Sequence, residues 1–314
     1  MSVETADSIV EQLQALAREY LDLKETAAVY AALLPIIQAA DLPVAPLALT
    51  PDQARDKLES RVPLLQGVPL TFEAGAACEL MVGLAHTLEE VPEHSTGQSL
   101  GRRAAARRIR RFLERGDLKA SVLLRRVRAG NRAAVVALAE AWQLDADLLW
   151  RLAQHALTPA LRAWQRQLAP LVGQVDWPQS TCFVCGAEAL LGEWREPAAE
   201  KHLRCGQCGA DWVSPLRQCA FCGNADDLTL GHIDCASQRS DRQVEICEAC
   251  KGYLKVITTA APIASTLLPV QDLATVHLDY AAQERGYVRG GQGIKISPVT
   301  VLTSVRSLAA AANN

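Results

Sequence analysis

Apolar residues recur at three- and four-residue steps through the first half of the chain. Ile9, Leu13, Leu16 and Tyr20 form one such stripe, and Leu80, Leu84 and Leu88 form another within ACELMVGLAHTLEE. This is the period of a helix that turns one face to a core. Thr50-Pro51-Asp52-Gln53 reads as an N-cap followed by proline at the first helical position. From Val122 to Leu171 the pattern is almost continuously helical, punctuated at Gly130–Asn131, Asp145 and Pro159. It has no repeat of fixed period, and a multi-helix domain with a leucine/alanine core is expected over residues 1–178.

Near Asp176-Trp177-Pro178 the long period stops. GEWRE, KHLRC, LTLGHI and RQVEIC then read as short strands separated by glycine-containing turns. QDLATVHLDYAAQERGY, residues 271 to 287, reads as an amphipathic helix with Leu273, Val276 and Tyr280 on one stripe, ending at Gly286. The fold class expected is α+β. An N-terminal multi-helix domain is followed by two small ribbon-like four-cysteine modules, 179–216 and 217–314, the second carrying a C-terminal helix and tail.

The chain has 314 residues, 49% of them hydrophobic and only 5% aromatic, enough for more than one compact unit. The first residues have no basic segment followed by an apolar one, so no secretory signal is read. The longest apolar region, from Tyr30, is broken by Gln38, Asp41 and prolines 35, 43 and 46, which argues against a membrane span. The protein is expected to stay in the cytoplasm, where ten cysteines point to metal binding or redox work rather than disulfides.

Eight of the ten lie in four CxxC pairs: TCFVCG (Cys182, Cys185), RCGQCG (Cys205, Cys208), QCAFCG (Cys219, Cys222) and ICEACKG (Cys247, Cys250). Two cysteines three apart on a tight turn can face one ion, and a glycine after the second supplies the positive φ of the exit. Gly186, Gly209 and Gly223 occupy that place, whereas in the last pair glycine comes one position later, at Gly252. A slightly different exit from a similar turn is expected there. Eight thiolates complete two tetrahedral sites. Pairing the knuckles in sequence closes loops of 19 and 24 residues, which suits short β-ribbons. Trp194 and Trp212 are expected to cover the first site, and Phe221 and Tyr253 the second.

Tetrathiolate ligation suits zinc and iron alike, so spacing leaves the metal open. His202, His232 and Cys235 are spare donors beside a complete set; Cys78, His86 and His155 sit on helical patterns as ordinary core or surface residues. Residues 101 to 132 hold eleven arginines and one lysine against Glu114 and Asp117. That run reads as a solvated helix surface paired to acids elsewhere, or as a docking face for an anion or partner. Residues 179–314 carry twelve basic against fourteen acidic residues, and thiolates add more negative charge. The module is therefore poorly suited to a nucleic-acid backbone.

The succession CFVCG, RCGQCGADW, RQCAFCG, EICEACKGYLK and DLATVHLDYAAQERGYVR resembles the FdhE family of formate dehydrogenase accessory proteins, from Cys182 to about Arg289. The resemblance implies a cytoplasmic maturation factor, or chaperone, that acts on the catalytic subunit of a respiratory formate dehydrogenase. It implies two rubredoxin-like sites, with iron favoured and zinc the alternative, at Cys182, Cys185, Cys205 and Cys208 and at Cys219, Cys222, Cys247 and Cys250. It implies no catalysis, and the chain carries no GxGxxG, Walker, nucleophile-elbow or HExxH motif. No membrane insertion and no nucleic acid are expected, and a homodimer is left open. The alternative classes are a rubredoxin-type electron carrier and a nucleic-acid-binding ribbon.

Overall fold

A computed structural model describes residues 3–92, 100–172, 176–215, 217–233 and 241–290. The chain divides into two compact units. Among the described residues, one contains those up to Leu49 and Leu65–Gln167; the other contains Thr50–Leu64 and those from Leu168 to Gly290.

In the first unit the helices are α1 (Val3–Glu19), α2 (Lys24–Ala39), α4 (Ala74–Glu90), α5 (Leu100–Glu114), α6 (Ala120–Arg128), α7 (Arg132–Trp142) and α8 (Ala146–Leu168); α3 (Pro51–Glu59) belongs to the other unit. The helical periodicity is borne out where it is strongest: Ile9, Leu13 and Leu84 are fully buried, and Leu16 and Leu88 nearly so. Caps fall where the polar residues sit. Asn131 Oδ1 accepts from the Ala134 N–H at 3.0 Å and Asp145 Oδ1 from the Leu148 N–H at 2.8 Å, which satisfies amides that a helix start leaves bare. Pro159, expected to interrupt the pattern, lies inside α8. Its missing N–H costs one helical bond, but Ala156, Leu157, Ala160, Leu161 and Trp164 are all buried around it. That burial carries the helix through.

The arginine-rich run is largely tied into its own unit. Glu89, buried at the end of α4, accepts from Arg110 at 2.6 Å and Arg107 at 3.1 Å. Arg103 donates to the Glu89 carbonyl at 2.6 Å. Arg108 donates to the Trp142 carbonyl, at the open C-terminus of α7, at 3.1 Å, where a cation meets the negative end of the helix dipole. Arg132 pairs with Asp147. Most of these charges therefore hold helices together.

In the second unit, α3 starts with a complete capping box. The Gln53 N–H donates to Thr50 Oγ1 at 3.2 Å and the Thr50 N–H to Gln53 Oε1 at 3.0 Å. The strands are β1 (Ala189–Arg195), β2 (Glu200–Cys205), β3 (Asp211–Val213), β4 (Leu230–Ile233), β5 (Arg242–Cys247), β6 (Gly252–Thr259) and β7 (Val288–Arg289). They form one sheet ordered β3-β2-β1-β6-β5-β4, with β7 beside β6. The two cysteine-bearing hairpins are joined by parallel pairing of β1 with β6, Gly192 opposite Val256 to Arg195 opposite Thr259. A Cβ on Gly192 would lie 3.0 Å from Val256 Cγ2 and 3.2 Å from Leu254 Cδ2, so glycine permits the seam. Lys201 of β2, buried, reaches across it to Glu245 of β5 at 3.0 Å.

The single C-terminal helix expected is two, α9 (Leu268–Ala274) and α10 (Val276–Glu284), broken at Thr275, whose hydroxyl donates to the Gln271 carbonyl at 2.8 Å. The break turns the apolar face: Leu278 and Ala282 enter the core with Ile233, Val244 and Tyr253, while Tyr280 is 62% exposed. The α+β architecture expected from sequence is the one present, with helices first and the cysteine-bearing sheet and C-terminal helices after.

The Glu89 carboxyl is held below the ordinary carboxylate range, chiefly by its hydrogen bond from Arg110. A depressed folded pKa gives stability that is present above the unfolded value and is lost as pH falls through the folded one. Urea midpoints of the wild type and Glu89→Gln should therefore differ at neutral pH and converge below the carboxylate range.

Candidate metal centres

The knuckles are built alike. The Cys182 N–H donates to the Ala187 carbonyl at 2.7 Å, and the Gly186 N–H returns to the Cys182 carbonyl at 2.8 Å. Cys205 with Ala210 and Gly209, and Cys219 with Asn224 and Gly223, repeat this at 2.8–3.1 Å. Within the turn the Cys185 N–H points at Cys182 Sγ, 3.5 Å, and the Cys208 N–H at Cys205 Sγ, 3.4 Å. Such amides stabilise a thiolate. Gly186, Gly209 and Gly223 leave their turns at φ 74°, 80° and 73°.

In the fourth knuckle the exit is the same, not shifted. Lys251 takes the glycine place at φ 52°, and Gly252 is already in β6, opposite Cys247. A left-handed lysine costs roughly 1–2 kcal/mol. Its ammonium pairs with Glu248 and lies 5.4 Å from the centre of the Tyr287 ring, and its carbonyl accepts from the Val288 N–H at 2.8 Å. These contacts fix it there.

The sulfurs converge as sequential pairing of the knuckles would have them. Cys182, Cys185, Cys205 and Cys208 form one group and Cys219, Cys222, Cys247 and Cys250 the other, all Sγ atoms of a group lying within 4.8 Å of one another. Closest separations are 3.5 Å for Cys182–Cys208 and Cys185–Cys205, and 3.7 Å for Cys219–Cys250 and Cys222–Cys247. A tetrahedral ion with metal–sulfur bonds near 2.3 Å puts its ligands about 3.8 Å apart, whereas a disulfide needs about 2.05 Å. Each group can therefore hold one metal ion.

The two groups differ in exposure. All four cysteines of the first are buried, and burial pushes the Cys182 and Cys208 thiols well above their ordinary range. In the second, Cys222 is exposed and Cys250 half-buried. Burial pushes Cys219 up to about 11 and raises Cys250 further. For Cys247 burial acts in the same direction, but N–H groups of Cys250 and Ala249 and the Cys222 side chain outweigh it and bring the thiol to about 7. Asn224 Nδ2 lies 3.7 Å from Cys247 Sγ and donates to Thr229 Oγ1 at 2.6 Å. Loading either group releases protons, so affinity falls as pH falls.

Trp212 is buried with its ring edge-on to Phe183, 6.2 Å between centroids, inside the first knuckle pair. Trp194 does not cover that group: the knuckle end of β1 is Ala189, paired with Cys205, and Trp194 sits five positions along, opposite Lys201, about 16 Å away at strand rise. Phe221 is half-buried in the third knuckle. Tyr253 belongs to the helix–sheet core, its hydroxyl donating to Asp279 Oδ1 at 2.8 Å. His202 lies beside Asp211, 2.7 Å, in a network with Glu193, Arg195 and Arg204. Cys235 lies outside the described residues, and Cys78 is half-buried on α4.

One cluster was not read from the sequence. Lys255, fully buried, donates to Asp272 Oδ1 at 2.7 Å and Asp279 Oδ2 at 2.6 Å. Arg289 joins Asp272 at 2.6 Å and the Leu190 carbonyl at 2.7 Å. Lys255 is thus framework. It ties β6, α9, α10 and β7 together. Removing one partner of such a buried set costs about 3–5 kcal/mol, so Lys255→Ala should lower unfolding stability by that amount in a denaturant titration. At the knuckle, Lys251→Gly should keep metal content unchanged, whereas Lys251→Val, β-branched and left-handed, should lower occupancy of the second group alone. With both groups loaded, excess chelator should remove one equivalent well before the other. A Cys182→Ser/Cys185→Ser variant should retain only the fast pool.

Residues 217–294 match the family model described as FdhE, C-terminal domain. A protein FdhE homolog of Stutzerimonas stutzeri is 30% identical over 183 residues, 56% of this chain and 58% of that protein. One of Aquifex aeolicus is 28% identical over 116 residues, 36% and 40% of the two chains. The chain thus spans about half the length of the curated relatives it matches. The crystal structure of the FdhE protein from Pseudomonas aeruginosa shares the fold, with a TM-score of 0.60 over 95% of this chain and 98% of that one at 22% identity. The fourth knuckle and the ionic cluster behind it lie within the stretch that resembles the C-terminal domain of FdhE proteins, and the chain shares its fold with one of them.

Proposed function

We propose that the protein is a cytoplasmic maturation factor that binds the catalytic subunit of a respiratory formate dehydrogenase before that subunit is exported, and does not itself oxidise formate. The supporting observation is the pair of four-sulfur groups in a single sheet, in a chain whose helical unit spends most of its charges internally. Cys182, Cys185, Cys205 and Cys208 would ligate one ion, and Cys219, Cys222, Cys247 and Cys250 the other. Modules 179–216 and 217–314 would each be loaded separately. Iron is favoured by the family, with zinc the alternative; either ion closes the knuckles, and iron adds one-electron chemistry. No helix among the described residues is long and apolar enough to cross a membrane. Whether the factor works as a homodimer can be read from its mass in solution.

The exposed Cys222 edge is the feature that favours the rubredoxin-type electron carrier, which would show reversible reduction and fast exchange with a reductase. Tagged protein captured without oxygen from its host during formate respiration should enrich the formate dehydrogenase catalytic subunit over an untagged control. If that subunit is present in the extract yet never enriched, the proposal fails. A Cys247→Ser/Cys250→Ser variant that folds and captures the subunit but supports no formate dehydrogenase activity would overturn a purely structural role for the second ion.

A further inference from the structure

The arginine-rich run leaves a remainder that the helical unit does not use. Most of its guanidinium groups close contacts within the unit, as Arg107 and Arg110 do on Glu89. Arg111 and Arg115 do not: both are exposed, and their side chains have no partner among the described residues. They are four positions apart, with the Arg115 N–H donating to the Arg111 carbonyl at 3.1 Å, so they share one face of the end of α5. Arg108 and Phe112 stand three or four positions from them and lie on the same face.

The end of α7 packs beside this face. The Trp142 ring is edge-on to Phe112, 5.1 Å between centroids, yet the residue is still 38% exposed. Arg108 lies over Phe112, 5.7 Å from the ring centre, and donates to the Trp142 carbonyl at 3.1 Å and to Gln143 Oε1 at 3.3 Å. Its position is fixed, but its charge meets no carboxylate. Neighbouring acids do not cancel the three charges. Glu114 is bonded to Arg110 at 2.7 Å, and Glu140, two residues before Trp142, is roughly 200° round α7 from it. Asp117, exposed in the turn after α5, offsets at most one. Residues 291–314 contain no Asp or Glu, so that segment supplies no counter-charge.

Composition and charge select the occupant. Guanidinium forks match carboxylates two bonds at a time, and arginine and tryptophan are the side chains that most often anchor protein–protein contacts. The run's +10 leaves −13 on the rest of a chain whose net charge is −3. A long polyanion would meet that negative field beyond the patch, and three arginines fall short of the roughly six to ten phosphate contacts of a duplex-binding protein. A short acidic segment feels the patch alone, since charges beyond about 8 Å are screened at physiological salt.

We infer that the face formed by Arg108, Arg111, Arg115 and Trp142 is a docking site for a short acidic segment of a partner protein, its carboxylates on the arginines and an apolar side chain on the indole. The site is separate from the sulfur groups and does not depend on the partner named above.

The test uses the full-length protein with both sulfur groups loaded. The probe is a fluorescent glutamate-rich peptide with a central Leu-Phe pair; a DNA duplex and phosphatidylserine vesicles are the controls. Peptide binding should weaken as salt rises. Arg111→Gln/Arg115→Gln should lower its affinity about tenfold with metal content and thermal midpoint unchanged, because neither side chain touches the fold. Arg166→Gln, at an exposed arginine of α8, should leave affinity as it is. Ser-Ser in place of Leu-Phe should weaken binding to the wild type more than to Trp142→Ala. Equal affinity of the wild type and the double variant overturns the inference. Arginine-dependent binding of the duplex or the vesicles that matches the peptide's also overturns it, as does self-association that the double variant abolishes, which would make a second copy the occupant.

Discussion

Four sulfurs held within 4.8 Å of one another can all be ionised only beside a cation, because burial and mutual repulsion otherwise keep the protons on. The thiols of Cys182, Cys208, Cys219 and Cys250 obey this rule, all being pushed upward. The rest of the second unit is organised to bring the sulfurs that close while leaving each backbone group satisfied. The first three knuckles close with the same short bonds, and the second and fourth follow directly on the strands β2 and β5. The antiparallel pairs β1–β2 and β4–β5 set the knuckle spacing, and the parallel β1–β6 seam binds both into one sheet.

That seam gives work to residues outside the sulfur groups. Two cysteine-bearing hairpins of this length bury little apolar surface and are marginal alone. Here α9 and α10 supply the missing cover, and the buried Lys255 ammonium, with Asp272, Asp279 and Arg289, fixes their register on the sheet. Replacing such a cluster by apolar residues can leave a protein equally stable; the charges add the restriction to one allowed arrangement. The fourth knuckle obeys the same logic, since Lys251 accepts a strained backbone while its side chain pairs with Glu248.

Much of this was legible in the sequence where a local rule governed the outcome. The capping residue Thr50, the helical stripe from Ile9 to Leu16, the glycine exits and four of the strands come from propensity and spacing alone. The rest depended on long-range contacts that spacing does not encode. Pro159 stays in a helix because the residues around it are buried; Tyr280 leaves the core because Thr275 breaks the helix and rotates α10 about its axis. GYLKVITT forms β6, but a lysine within it has no local reason to be buried. Only the aspartates 17 and 24 residues later in the chain make it interior. Lys251 was obscured by Gly252, since sequence alone favours glycine wherever φ is positive.

The unequal exposure of the two sulfur groups is the feature least demanded by stability. A structural ion is held best when its ligands are enclosed, as Cys182, Cys185, Cys205 and Cys208 are. The second group uses the same knuckles and a similar pair of strands, yet leaves Cys222 at the surface. A fold that can bury one group can bury two; leaving one open costs protection against oxidation and metal loss. The openness lies at the β4 end of the sheet, where Leu228 is also exposed. Enclosure suits the first group to holding the fold, whereas the second keeps one sulfur within reach of solvent.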